Sequence, residues 1–207
     1  MSSPHQAATV RTSLVLPLRL RGWSGIAEVT TFTGLADGGE HLALRLGPPA
    51  DVPLVRLHSE CLTGDVLGSE RCDCGPQLHE AVQRIDAHGG YLLYLRQEGR
   101  GIGLYAKLDA YALQDEGLDT FEANLALGYA ADARDYTVAA QMLEALGVPR
   151  LRLLSNNPDK AGQLTGHGLE VELVPTAVHL SSANARYLAA KARQGHRLCD
   201  GSWSDAG

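Results

Sequence analysis

The sequence predicts an α/β protein with a mixed β-sheet core and flanking helices, whose N-terminal third is mainly β. Three observations favour this fold class. Strand-like segments separated by turn residues fill the first sixty positions, the apolar spacing then becomes helical, and strands and helices alternate from there on. The chain of 207 residues is also long enough to bury a hydrophobic core without a disulfide or a metal.

The N-terminal third is predicted to form four strands. Turn residues at Gly34 and at Asp37-Gly38-Gly39 separate the second strand from the third, and Pro53 precedes the fourth. The four predicted strands cover residues 14–20, 26–32, 41–46 and 54–60.

The rest of the chain is predicted to alternate helices with strands. From Pro76 the spacing is helical, because Leu78, Val82 and Ile85 fall on one face. The pair Gly89-Gly90 ends this helix. Further helices are predicted over 104–116, 136–146, within 156–168 and from 182 to about 195, and strands over 91–97, 150–155 and 169–175.

A single domain is predicted over residues 13–196, between a flexible N-terminus (1–12) and a polar C-terminal tail (197–207) in which Cys199 has no expected role. The chain carries 18 Lys and Arg against 24 Asp and Glu. This acidic balance disfavours a nucleic-acid partner, since such proteins are usually basic. No apolar run approaches the ~20 residues of a membrane span, and the first residues lack the apolar segment of a signal peptide. We therefore expect a cytoplasmic protein that binds neither membranes nor nucleic acids.

Three cysteines are grouped in HSECLTGDVLGSERCDC, where ten residues separate Cys61 from Cys72-Asp73-Cys74. Without a secretory signal such a group favours metal or redox chemistry over disulfides, and one intervening residue would strain a disulfide. Thiolate is a preferred zinc ligand, and three protein ligands leave a position for a water. The alternative is a set of small buried apolar residues, but the neighbours are polar. His58 is not expected to be a fourth ligand, because an odd separation along a strand turns it away from Cys61.

The segment RQEGRGIGLYAK joins a predicted strand to a predicted helix. Its glycines let backbone N–H groups approach an anion at a helix N-terminus, and Arg96, Arg100 and Lys107 bring three cations into an otherwise acidic chain. This combination indicates a polyphosphate ligand. The alternative is that the glycines serve only the turn, and the spacing matches neither a Rossmann fingerprint nor a Walker loop.

Two further polar segments precede predicted helices. In ADARDYT, Asp135 is explained as a helix N-cap, whereas Asp132 and Arg134 are either functional or an exposed ion pair of little energetic value. In SNNPDK, Ser155 follows the carboxyl end of a predicted strand, where α/β proteins bind ligands. Turn formation by the Asn-Pro pair is the alternative there.

In this order, the motifs RLHSECLTGD, RCDCG, RQEGRGIGL, YALQD, ADARDYT and LLSNNPDK resemble GTP cyclohydrolase II, the first committed enzyme of riboflavin biosynthesis. The resemblance runs from about Val52 to Lys160 and less distinctly through ANARYLAAK, and it indicates the single-function form, without a dihydroxybutanone-phosphate synthase domain. It implies hydrolysis of GTP at C8 of the imidazole ring, with release of formate and pyrophosphate, to leave a diaminopyrimidine ribosyl monophosphate. It also implies one Zn²⁺ per subunit, Mg²⁺ on the triphosphate and a homodimer.

The resemblance also assigns roles to individual residues. It implies zinc ligation by Cys61, Cys72 and Cys74. It implies that Asp132 is the proton acceptor, Arg134 the nucleophile, and Tyr111 the residue that completes formate release. Because a guanidinium is a poor nucleophile, a clamp on the α-phosphate remains the alternative for Arg134. The implied GTP-binding residues are Arg56, Leu57, His58, Ser59, Glu60, Gln77, Glu98, Gly99, Arg100, Thr120, Ser155 and Lys160.

Two alternatives to this activity stay open at the level of sequence. One is a related enzyme that stops at the formylated pyrimidine or serves secondary metabolism. The other is a non-catalytic GTP-binding regulator, which would have no use for an open metal site.

Overall fold

The computed structural model of the chain describes residues 7–130, 134–181, 183–193 and 195. The expected proton acceptor Asp132 lies outside these residues. So do the first six residues of the expected N-terminus and the whole predicted tail, including Cys199.

Within the described residues, seven strands form one mixed sheet with six α-helices around it. The strands are β1 (Thr9–Leu20), β2 (Trp23–Thr33), β3 (Leu42–Leu46), β4 (Leu54–Ser59), β5 (Gly90–Leu95), β6 (Arg150–Leu154) and β7 (Glu170–Val174). The helices are α1 (Cys74–His88), α2 (Leu104–Asp115), α3 (Thr120–Ala126), α4 (Thr137–Ala145), α5 (Pro158–Gly166) and α6 (Ala185–Arg193). Pairing is antiparallel along β1-β2-β3-β5 and parallel along β5-β4-β6-β7. The predicted α/β class, with a mixed sheet and strands concentrated near the N-terminus, is confirmed.

The core lies on both faces of the sheet. On one face Leu54 and Leu92 pack against α1 through Leu78, Val82 and Ile85, the residues whose spacing predicts that helix. The opposite face buries Val55, Leu57, Leu93 and Leu95 against Val138, Met142 and Leu143 of α4 and Leu164 of α5. Strands β4 and β5 are thus covered on both sides, and every residue of β4 except the last, Ser59, is buried.

Two elements differ from the sequence-based expectation. Strand β1 begins at Thr9, so residues 9–12, expected in a flexible N-terminus, pair with β2 instead. Helix α3 was not expected, although Asp119 and Glu122 form a reciprocal capping box in which each side chain accepts the other's backbone N–H at 3.0 and 2.8 Å. None of the described helices is long and apolar enough to cross a membrane.

The parallel strands bring their carboxyl ends to one edge of the sheet. The chain leaves β4 through Glu60 and Cys61, β5 through Gln97 and Glu98, and β6 through Ser155. This is the edge at which open α/β sheets bind ligands, and it places the predicted metal, phosphate and strand-end motifs side by side.

Candidate active site

A cavity opens at this edge, and most of the predicted site residues line it. They are Arg56, His58, Ser59, Glu60, Cys61, Cys72, Cys74, Gln77, Glu98, Gly99, Arg100, Tyr111, Arg134, Ser155 and Lys160. The sequence motifs that were considered separately therefore form one site.

The three thiols form a compact group. Their Sγ atoms lie within 4.8 Å of one another, and those of Cys61 and Cys72 are 3.7 Å apart. A tetrahedral zinc with Zn–S bonds of about 2.3 Å requires sulfur atoms about 3.8 Å apart. The π-helical turn Leu62–Val66 passes so close that a Cβ on Gly64 would lie 2.9 Å from Cys72 Sγ. The donor set and its spacing fit a zinc ion, with one position open to the cavity.

Lys107 belongs to this thiol group. Its Nζ donates to Cys61 Sγ at 3.1 Å, to Thr63 Oγ1 at 3.0 Å and to Glu98 Oε1 at 2.8 Å. Burial lowers the pKa of Lys107, but Glu98 and the Cys61 sulfur outweigh burial and leave the pKa above its ordinary value. Hydrogen bonds from Cys72 and Cys74, with the Lys107 charge, hold the pKa of Cys61 far below its ordinary value, while donation to Cys61 raises the pKa of Cys72 to about 11. A thiolate is thus stabilised at Cys61.

The structure separates the three cations of the glycine-rich segment. Lys107 lies at the thiols, and Arg96 points away from the cavity, donating from Nε to Glu60 Oε2 at 2.8 Å with half of its side chain exposed. Arg100 lies in the 3₁₀ turn Glu98–Gly101 with φ 63° and, like Lys107, lines the cavity. Of the three cations, Arg96 is the one that is not among the cavity residues described, because its side chain pairs with Glu60.

Two cations from other parts of the chain also line the cavity. Arg134 and Lys160 approach the ring of the buried Tyr136, with the guanidinium carbon 5.9 Å and the ammonium nitrogen 5.1 Å from its centroid. Lys160 also donates to the backbone carbonyl of Leu57 at 2.8 Å. With Arg100 these residues supply positive charge on the cavity wall in a protein of net charge −6.

His58 is held by Asp65, a residue to which sequence reasoning assigned no role. Its Nε2 lies 3.0 Å from both carboxylate oxygens of Asp65, which also accepts from Tyr94 Oη at 2.9 Å and from the backbone N–H of Cys61 at 3.0 Å. Among the described residues, the group that could hold a metal contains the three cysteines and not His58. That His58 is not a metal ligand stays a prediction.

Three buried polar atoms of β4 have no partner among the described residues: Arg56 Nε, His58 Nδ1 and Ser59 Oγ. They belong to β4 and follow one another along the cavity wall. Because a buried polar atom without a hydrogen bond costs roughly 1–3 kcal/mol, this row indicates the place of a polar ligand. Burial also lowers the pKa of Arg56, whose terminal nitrogens donate to Leu154 O at 3.0 Å and Gln77 Oε1 at 2.6 Å.

Tyr111 faces the cavity rather than the core. Its ring lies 4.9 Å from the Arg71 guanidinium and 5.7 Å from Lys107 Nζ, and its hydroxyl bonds to Thr63. Burial raises the pKa of Tyr111, so the phenol keeps its proton. A protonated hydroxyl beside the thiols is suited to donate a hydrogen bond to a reacting group.

Ser155 combines both of its suggested roles. It lines the cavity, and its Oγ accepts the backbone N–H of Asn157 at 3.1 Å, while Asn157 caps α5 by accepting from Asp159 N at 3.0 Å. The turn chemistry therefore supports the ligand site instead of replacing it.

One predicted residue is not brought to the cavity by its side chain. The Leu57 side chain is 1% exposed and packs in the core, because alternation along β4 turns it away from Arg56 and His58; its carbonyl faces Lys160. The side chain of Thr120, the first residue of α3, lies outside those that the structure describes.

Further cavity residues were not assigned individually to the GTP site. They are Arg71, Gln97, Ile102, Ala110, Gln114, Asn124, Asn156, Asn157, Thr176, Tyr187 and Lys191. Arg71 belongs to RCDCG, and most of the others lie in the segments RQEGRGIGL, YALQD, SNNPDK and ANARYLAAK, so sequence reasoning found the segments and not these positions. Ala110, Asn124 and Thr176 lie outside those motifs, and the fold brings them to the cavity.

Comparison with known proteins identifies relatives over most of the chain. A sequence model of the GTP cyclohydrolase II family matches residues 15–175. GTP cyclohydrolase-2 of Vibrio parahaemolyticus is 54% identical over 177 residues, which cover 83% of this chain and 89% of that protein. GTP cyclohydrolase-2 of Psychromonas ingrahamii is 49% identical over 177 residues, with 83% and 88% covered. Riboflavin biosynthesis protein RibBA of Bacillus subtilis is 53% identical over 183 residues, with 84% of this chain and 45% of that protein covered.

Proposed function

Since the chain belongs to the GTP cyclohydrolase II family of hydrolases, we propose that it opens the imidazole ring of GTP at C8 in a zinc-dependent reaction. Formate and pyrophosphate are released, and the remaining diaminopyrimidine ribosyl monophosphate enters riboflavin biosynthesis. The observation that carries the proposal is that a group of three cysteine thiols and a set of cations that includes Arg100, Arg134 and Lys160 line one cavity. Ring opening needs an activated water and pyrophosphate release needs positive charge at the α-phosphate.

The thiolate wall serves ring opening in this proposal. Zinc bound by Cys61, Cys72 and Cys74 would supply the Lewis acidity that activates a water. Lys107 stabilises the Cys61 thiolate through its 3.1 Å contact. Tyr111 donates a hydrogen bond from its protonated phenol at the formyl group that leaves. Asp132 lies outside the described residues, and its role as proton acceptor rests on the family resemblance.

The cationic wall serves the triphosphate. Arg100 and Lys160 bind phosphate oxygens, with Mg²⁺ offsetting the remaining charge. Arg134 acts at the α-phosphate, either as a clamp on the departing pyrophosphate or as the attacking group. Its guanidinium carbon lies 5.9 Å from the centroid of the Tyr136 ring, a contact that favours one orientation of the side chain.

The β4 wall supports recognition of the nucleoside. Arg56 Nε, His58 Nδ1 and Ser59 Oγ would gain partners from the ligand. Guanine and ribose offer both donors and acceptors, so a nucleoside can satisfy all three atoms. Gln77 and Glu98 complete this side of the cavity.

We place the enzyme in the cytoplasm as a homodimer. The edge strand β1 and its neighbour β2 expose apolar side chains, with Val15 and Ile26 64% and 66% exposed. A partner that covers this hairpin would remove an aggregation-prone edge. Light scattering of the purified protein tests the dimer.

Product analysis after incubation with GTP, Zn²⁺ and Mg²⁺ tests the activity, with chelator-treated protein as the control. Equal amounts of formate and pyrophosphate, lost on chelation and restored by zinc, are the expected result. A product that keeps its formyl group would identify the enzyme that stops one step earlier. Binding of GTP without zinc or turnover would identify a regulator and overturn the proposal.

A further inference from the structure

The last described helix, α6, reaches the loop that carries two of the thiols. Lys191 Nζ lies 2.7 Å from Oδ1 of Asp73, the residue between Cys72 and Cys74. The Asp73 side chain is 1% exposed and that of Lys191 is 10% exposed. This ion pair is buried, and it joins positions 118 residues apart. Helix α6 lies beyond the residues that the family comparison matches.

Asp73 has a donor on each of its oxygens. Lys191 occupies Oδ1, and Gln77 Nε2 donates to Oδ2 at 2.6 Å. Gln77 in turn accepts from Arg56 at 2.6 Å. The network therefore runs from α6 through the thiol loop to β4, and it fixes the Asp73 side chain in one orientation.

The segment before α6 is fastened to α1, the helix that starts at Cys74. Glu80 of α1 accepts from Thr176 Oγ1 at 2.9 Å, from Ala177 N at 3.1 Å and from His179 Nε2 at 3.0 Å. The N-terminus of α6 is closed by a reciprocal pair, in which Ser181 N donates to Asn184 Oδ1 at 2.8 Å and Asn184 N to Ser181 Oγ at 3.2 Å. Helix α6 is thus held over α1 and the thiol loop from both directions.

The positive charge of Lys191 compensates the negative charge of the buried Asp73 side chain. Asp73 is an acidic side chain that is only 1% exposed, so its negative charge would be costly without a partner. The ammonium group compensates the carboxylate, and Tyr187 of the same helix holds it with its ring centroid 4.4 Å from Nζ. Without Lys191 the carboxylate would stay buried and uncompensated, which is the costly outcome for a buried pair.

We infer that α6 holds the metal-binding loop in place. Lys191 is the positioning residue, and through its ion pair with Asp73 it keeps Cys72 and Cys74 in the geometry that a metal requires. The inference rests on the proposed function for the identity of the metal alone. It gives the C-terminal helix a role in metal retention, and it makes the chain beyond β7 part of the active site.

The test compares Lys191→Met with Arg193→Met. Arg193 is the matched control, because it lies on the same helix and pairs with Asp119 in a solvent-exposed contact at 3.0 Å, its side chain 61% exposed. In metal-free protein, hydrogen exchange of the amides in residues 72–77 should accelerate about tenfold in Lys191→Met and stay unchanged in Arg193→Met. In competition with a chromogenic chelator, the zinc Kd should rise about 10–100-fold in Lys191→Met only.

Two further variants separate positioning from general stability. Lys191→Arg keeps the charge and should recover most of the zinc affinity. Adding Asp73→Asn to Lys191→Met removes the uncompensated carboxylate and should restore slow exchange, and folding if the single variant fails to fold. Equal effects of Lys191→Met and Arg193→Met, or no recovery in the double variant, would overturn the inference. A wild-type protein that binds no zinc would refute the proposed function, and the exchange experiment would then still decide the role of Lys191.

Discussion

Replacing Gly64 by alanine tests the thiol group without removing a ligand. A Cβ at this position would lie 2.9 Å from Cys72 Sγ and 3.1 Å from Cys61 Sγ. Gly64 is not among the residues with positive φ, so alanine adds no backbone strain. The perturbation is therefore a single methyl group pressed against two sulfur atoms and, at 3.1 Å, against the Cβ of Cys74.

The expected magnitude follows from that overlap. Ordinary contact begins at about 3.5 Å, so Cys72 Sγ must move by about 0.5 Å. A zinc site tolerates ligand displacements of only about 0.2 Å. Overpacking costs about 1–3 kcal/mol, and because the free thiols can rotate away, most of that cost should appear only when zinc is bound. The zinc Kd should then rise by roughly 5–150-fold, since 1.4 kcal/mol is a factor of ten.

Chelator competition measures the zinc Kd, and thermal unfolding of the metal-free protein measures stability. Gly162→Ala is the matched control, because no atom lies within 4 Å of its added Cβ and it sits inside α5. That control should keep the zinc Kd of the wild type and gain about 1 kcal/mol of stability from helix propensity. An unchanged zinc Kd in Gly64→Ala would refute the assignment of the thiols as the zinc site.

Four further substitutions address the remaining parts of the site. Cys72→Ser should lower zinc content and formate release by orders of magnitude while the fold survives, because a hard hydroxyl replaces a soft thiolate; Cys199→Ser is the control in a metal assay. Arg100→Ala should raise the GTP KM roughly thirtyfold and leave guanosine binding almost unchanged, since a charge-assisted contact is worth about 2 kcal/mol. Arg134→Ala should abolish pyrophosphate release, measured by a coupled assay. Tyr111→Met should release pyrophosphate but leave a formylated product, which mass spectrometry detects.

Each of these four predictions would be contradicted by a specific result. Stoichiometric zinc with full activity in Cys72→Ser would exclude that ligand. Equal losses for GTP and guanosine in Arg100→Ala would mean that the residue only shapes its turn. Normal pyrophosphate release from Arg134→Ala would remove it from the mechanism, whereas accumulation of ring-opened triphosphate would favour the clamp over the nucleophile. A deformylated product from Tyr111→Met would exclude its role in formate release.

Local patterns predicted the fold class and the cysteines that form the thiol group. The period of Leu78, Val82 and Ile85 identifies α1, and the spacing of Cys61, Cys72 and Cys74 identifies the thiol group. Both signals are short-range, so one segment of chain contains all of the information.

The residues that support the site could not be predicted from local sequence patterns. Lys107 reaches Cys61 across 46 positions and Lys191 reaches Asp73 across 118. Their partners are set by how helices pack on the sheet, which no spacing in the sequence encodes. The expected grouping of Lys107 with Arg96 failed for the same reason, because proximity along the chain does not determine where a side chain points.

The backbone at Arg100 limits which residues can replace it. An L-residue with a side chain pays about 1–2 kcal/mol to hold the left-handed conformation that Arg100 adopts at φ 63°, and glycine would avoid this cost. Glycine would also remove the side chain that lines the cavity, so under the proposed function the Arg100→Gly variant should bind triphosphate poorly. In a library randomised at codon 100, a requirement for growth on endogenous flavin should therefore retain arginine over glycine.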